Sequence, residues 1–272
     1  MTDQTTPLAG RYGSLRESHE PRLGAMSLLA TGITPLPGYH AFDVTHGLGT
    51  ETSDIALQNP YAWGMDGNDK YGDCGFAAMD HYNIAKTGNR ALIGKFGTSK
   101  FPTLEDAYFA YGIAQGEPGP RPDFGVSNAT MLAWALSEGL IYGYAEVQPE
   151  YLDWFAKEFN GALLGLAIDG VVAGNDYNEY PHRPPWNTMA TPDGHDTTYV
   201  KSQGKGPGTL VTWGGLQTFT ESFRKTNVTD TWVVFDKYDA KVDDAALEAA
   251  LADVHGVDVM TSARANYELL HP

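Results

Sequence analysis

A single cysteine, Cys74, occurs in the 272 residues, so no disulfide can form within the chain and a disulfide-stapled secreted scaffold is excluded. Basic residues are scarce: 18 Lys and Arg stand against 34 Asp and Glu, a net charge of −16 with no basic cluster. A surface built to contact nucleic-acid phosphates or anionic lipid needs such a cluster, so neither partner is expected. Long apolar runs are missing too. The most apolar stretch, "GALLGLAIDGVVAG" (161–174), is interrupted by Asp169 and is too short to cross a bilayer. The first two dozen residues carry no apolar run behind a basic end, so no secretory signal is read there, and a cytoplasmic location is expected.

What is present is a chain with 42% hydrophobic residues and 15 Tyr, enough for a large folded core. Residues 1–60 are rich in Gly, Pro, Thr and Ser, and only "AMSLLATGI" (25–33) has the makings of a short element. They read as an extended arm, draped over the domain or reaching a neighbouring protein. Beyond residue 60 the signals sharpen. A helix is predicted from Asp73 or Cys74, ending before "TGN" (87–89) with Gly88 at its C-terminal end. Thr103 and Asp106 are spaced as a capping pair for a helix at 104–114. Further helices are expected at about 128–138, ended by Gly139, and after Pro149.

The pattern then changes. "ALLGLAI" (162–168) reads as a buried strand. "HDTTYVKS" and "GTLVTWG" read as strands joined through "QGKGPG" (203–208), and "DTWVVFD" (230–236) as another. Thr218 and Glu221 are spaced as a capping box for a short helix, and "DDAALEAALADVHG" places Leu247, Leu251 and Val254 on one helical face with Gly256 as terminator. Helices first and a mostly antiparallel sheet second make an α+β protein.

Chemistry centres on "GNDKYGDCGFAAMDHY" (67–82). A cysteine at a helix N-terminus meets unpaired N–H groups and the positive end of the helix dipole, which favours a thiolate. It then needs a base. His81 lies two turns along the same helix and cannot reach back to the sulfur, while His195 follows "TPDG" and opens a strand, where a side chain can be aimed into a cleft. Metal chemistry finds little support: there is no His-Glu-x-x-His and no paired cysteine, "HGLGTE" lacks ligand spacing, and the scattered acids of "GNDYNEYPH" (174–182), which could form a cation site, read better as a solvated loop. "GKGPG" lacks the length and the Lys-Ser/Thr ending of a phosphate loop, so no cofactor is expected.

These segments, in order, resemble the papain-like cysteine peptidases. "YGDCGFAA" is similar to that family's nucleophile stretch and to the Asp-Cys-Gly start of bacteriocin-processing peptidases. Asn68, six residues before Cys74, stands where the family has its oxyanion-hole Gln. "MLAWALSEGLIYGYAEVQP", "EFNGALLGLAIDG", "DGHDTTYV", "LVTWGGLQTF" and "DTWVVF" resemble the segments that follow, over about 60–236. The resemblance implies a two-lobe fold: a helical lobe (61–160), a sheet lobe (161–236), a preceding arm (1–60) and a C-terminal helical extension (237–272). It also implies Cys74 as nucleophile on a peptide or amide carbonyl, His195 as its base, and Asn68 with the Cys74 N–H as oxyanion donors. One departure stands out. Val211 occupies the place of the Asn that orients the imidazole, leaving Asp193, Asp196, Thr212 and Gln217 as candidates for that task. Divergent single-cysteine versions of this kind are similar to proteins of actinobacterial bacteriophages. The alternative expectation is therefore a module with little or no catalysis, virion-associated, binding protein neighbours through its arm.

Overall fold

A computed structural model describes residues 63–87, 100–147, 152, 153, 156, 161–168, 186, 193–201, 208–235 and 244–271. The expected arm, its element at 25–33, Gly88 and the loops at 174–182 and 203–207 lie outside the described residues.

Three helices come first: α1 (Cys74–Thr87), α2 (Leu104–Ala114) and α3 (Asn128–Ser137). The second and third begin where a side chain provides for the unpaired N–H groups. The Thr103 side chain accepts from Asp106 N and the Asp106 carboxylate accepts from Thr103 N, completing the expected capping box of α2. Ser127 caps α3 by accepting from Thr130 N, and Gly139 takes the left-handed conformation just past its end.

The strands are β1 (Gly143–Glu146), β2 (Ala162–Ile168), β3 (Asp193–Lys201), β4 (Gly208–Thr212), β5 (Gly215–Phe219) and β6 (Val228–Phe235), with the short helix α4 (Glu221–Asn227) between the last two. They form one sheet in the order β1-β6-β2-β3-β4-β5, every neighbouring pair antiparallel. The tail adds α5 (Asp244–His255) and α6 (Val257–Leu270). Among the described residues no helix is long and apolar enough to cross a membrane.

Three local expectations need correction. The run "GTLVTWG" is not one strand: Trp213 and Gly214 both have positive φ (44° and 72°) and form the two-residue turn from β4 to β5. Thr218 does not cap α4; it lies in β5 opposite Thr209, and Thr220 caps the helix by accepting from Phe223 N. Residues 143–146, inside the half read as helical, form a strand beside β6, too short for periodicity to show.

β2 is buried on both faces. Its odd positions face the helices, where Leu163 joins the core formed by α1, α2, α3, α5 and α6. Its even positions face a second core, in which Leu164, Leu166 and Ile168 pack with Trp186, Tyr199, Trp213, Phe219 and Phe223. This two-sided burial is why the sequence there is a continuous apolar run. The alternation also fixes which residues of the neighbouring strands can meet α1.

Candidate functional site

Cys74 is the first residue of α1, as expected, and is 1% exposed. The helix lies on β3, with Thr198 Oγ1 donating to Ala78 O. Close approach at the N-terminal end depends on Gly75. A Cβ there would lie 2.7 Å from Val126 Cγ2 and 3.2 Å from Asp196 Oδ2.

The side chain that β3 presents to Cys74 is Asp196. Cys74 Sγ lies 3.8 Å from Asp196 Oδ2, and the Asp196 backbone N–H donates to the sulfur at 3.4 Å. Asp196 Oδ1 accepts from Asn128 Nδ2 at 2.7 Å, at the start of α3. The same Asn128 amide donates to Asp230 Oδ1 at 3.1 Å, and Trp232 Nε1 donates to that oxygen at 2.6 Å. Gly165 lies opposite both Asp196 and Asp230 in the sheet, so the two carboxyl groups flank a residue with no side chain. Two helix N-termini thus meet one polar row across β3, β2 and β6.

His195, one residue earlier, faces the other way. Successive side chains on a strand point to opposite faces, and residues directly opposite share a face. His195 pairs with Leu166, a member of the second core, whereas Asp196 pairs with Gly165 on the helix side. The His195 ring stacks on Trp213 (centroids 4.2 Å apart, planes at 17°), and its Nε2 lies 2.7 Å from Thr212 Oγ1. Of the four residues considered for orienting the imidazole, Thr212 holds it. Burial, helped by the charge of neighbouring His81, pushes the His195 pKa down to about 3, so the ring is neutral at physiological pH.

Asn68 is buried in the turn that leads into α1. Its Nδ2 donates to Asp73 Oδ1 at 3.2 Å and to Tyr71 O at 3.4 Å, so its amide is engaged in closing that turn. Asp73 is also buried, and desolvation raises its pKa to about 8. Its carboxyl therefore keeps its proton at neutral pH, and the carboxyl group in contact with the sulfur is that of Asp196. Cys74, Asn68 and Asp73 lie together at one helix end, and His195 lies across the sheet from them.

Among the described residues no group of three or more His, Cys, Asp or Glu side chains is arranged to hold a metal ion. Compared with family models, characterised proteins and solved structures, the chain matches none.

Asp196 and Asn128 are the residues that the sequence reading did not place at the cysteine. Asp196 was considered only as a partner for His195. The signal that singles it out is strand phase, which needs the register against β2.

Proposed function

We propose that the chain is a non-hydrolytic module on a papain-like plan, a binding or structural protein in which the nucleophile position survives as a buried thiol. The observation that carries this reading is the seating of Cys74 against Asp196. A carboxyl group beside the sulfur supplies no positive charge to stabilise a thiolate, and burial disfavours one. The imidazole that would stabilise a thiolate is neutral and faces the second core. An oxyanion donor is also lacking at Asn68, whose amide closes its own turn.

The role follows from what remains. Residues 1–60 supply a long Pro- and Gly-rich segment suited to protein neighbours, and the resemblance to phage proteins makes a virion-associated role the concrete form of the proposal. The test is a peptide-library digest read by mass spectrometry, beside a Cys74→Ala control. No cleavage attributable to Cys74 is expected. Cleavage lost in Cys74→Ala overturns the proposal.

One observation favours the hydrolase reading. His195 is held by Thr212 and backed by Trp213, much as a working imidazole is held and shielded. Turnover would require β3 to slip by one residue, exchanging Asp196 for His195 at the sulfur.

A further inference from the structure

The segment that leads into α1 is an unusual piece of backbone. Gly64, Asp66 and Gly67 all have positive φ (82°, 54° and 94°), and Asp66 is a non-glycine residue in that region. Glycine takes that conformation freely, but Asp66 keeps it only where its surroundings hold it. Here the holding groups are ionisable. His81, on the second turn of α1, places Nε2 3.1 Å from Gly64 O and 3.1 Å from Asp66 Oδ2, with both side chains buried. Trp63 sets its ring edgewise against the imidazole. At the other end of the segment, Asp73 Oδ2 fills the space that a side chain on Gly67 would need, 2.5 Å from the Cβ position.

We propose that residues 63–73 form an acid-closed latch at the N-terminal end of α1, held by the His81–Asp66 pair and the buried Asp73 carboxyl, which loosens in alkali and frays the first turn of the helix around Cys74.

The charges around each group set the direction. His81 faces Asp66 on the turn and Asp80 on its own helix, and its charge is also felt by His195 on β3. Burial pulls its pKa down, but the carboxylates of Asp66 and Asp80 outweigh that and hold it above the ordinary value. Asp73 faces Asp66 on the turn, Glu105 and Tyr108 on α2, and stands near Asp123, which accepts from Gly72 N. Cys74, next in sequence, carries the contact to Asp196. Burial opposes a charge on Asp73, as Asp66 and Glu105 do, and together they outweigh the Asn68 amide and the backbone N–H that favour it. Raising the pH therefore removes the His81 cation and adds an anion at Asp73. Both changes act in the same direction, toward opening. With Asp73 near its ordinary pKa once exposed, ionisation multiplies the open population by about a hundredfold between pH 6 and pH 9.

Amide hydrogen exchange on the full-length protein tests this without reference to thiol reactivity, and so independently of the proposed function. The probes are the amides of Asn68, Lys70 and Tyr71, which donate to Met65 O and Gly67 O, and of Gly72. After correction for intrinsic base catalysis, their protection is expected to fall at least tenfold from pH 6 to pH 9 while that of β2 holds. Asp73→Asn, which cannot ionise, is expected to reduce that fall at least threefold. Constant protection in 63–73, a fall shared equally with β2, or an unreduced fall in Asp73→Asn each overturns the latch. Should Asp73→Asn fail to fold, the wild-type comparison of the two segments still decides.

Discussion

Replacing Gly165 with alanine tests the polar row that joins two helices to the sheet. A Cβ at this position would lie 2.0 Å from Asp230 Oδ2 and 2.6 Å from Asp230 Cγ, too close for either group to remain. The backbone of β2 is pinned by β3 and β6 on either side, so the Asp230 side chain must swing away. Doing so breaks its bonds with Asn128 Nδ2 and Trp232 Nε1. Hydrogen bonds to a charged group contribute about 1.5–3 kcal/mol each. Part of that returns as the displaced carboxylate regains water, which leaves a loss of about 2–4 kcal/mol. For a domain of this size the melting temperature should fall by roughly 5–12 °C. The assay is urea denaturation of four proteins: wild type, Gly165→Ala, Asp230→Ala and the double variant. With Asp230 truncated nothing occupies the space, so Gly165→Ala should then cost less than about 1 kcal/mol. Equal costs in the two backgrounds would show that the alanine acts through strand propensity, and the reasoning about the row would be wrong.

Other expectations follow from the same geometry. A fully ionised carboxylate about 4 Å away would be worth about 4 kcal/mol at the effective dielectric of such a site, so Asp196→Asn should move the midpoint of Cys74 alkylation down, by at most about three pH units; an unchanged midpoint would remove Asp196 as the controlling group. Asp73 has a folded-state pKa raised to about 8 from 3.8, so its stabilising effect is complete in acid and is lost as the pH rises toward 8. The stability of Asp73→Asn relative to wild type should therefore climb between pH 4 and pH 8, by about 5 kcal/mol at most, and level off above; a flat difference across that range would contradict the burial argument. Gly214→Ala places a Cβ 2.8 Å from Gly64 O at a φ of 72°, and should lower stability by about 1–3 kcal/mol in thermal melts, whereas a neutral result would mean that the contact with Gly64 yields freely.

Much of the frame was legible from local chemistry. The capping pair at Thr103 and Asp106 marked α2, and "ALLGLAI" delimited β2 to the residue, because each signal sits within a few positions of its effect. Cys74 at the start of α1 was legible for the same reason. What failed to show was phase. In "HDTTYV" the residues after Asp196 are Thr, Thr, Tyr and Val, all buried, so no polar-apolar alternation tells which neighbour faces the helix. A strand covered on both sides hides its register, and a single-residue shift exchanges His195 with Asp196. The Trp213–Gly214 turn was hidden differently. Tryptophan is a poor signal for positive φ, and its place there is held by stacking on His195 rather than by its own preference. Similarly, Thr218 offered the right spacing for a cap, but pairing with Thr209 in the sheet takes it first, and Thr220 performs the task.

The most direct measurement is the rate of Cys74 alkylation by iodoacetamide as a function of pH, in the native protein and in His195→Ala. With a buried carboxyl group against the sulfur and a neutral imidazole on the far face, labelling should be slow at neutral pH. It should rise only above the range of an ordinary thiol, about pH 8.5, with the same profile in both proteins. Fast labelling well below that range, abolished by His195→Ala, would demonstrate a Cys–His ion pair and contradict the proposal of a non-hydrolytic module.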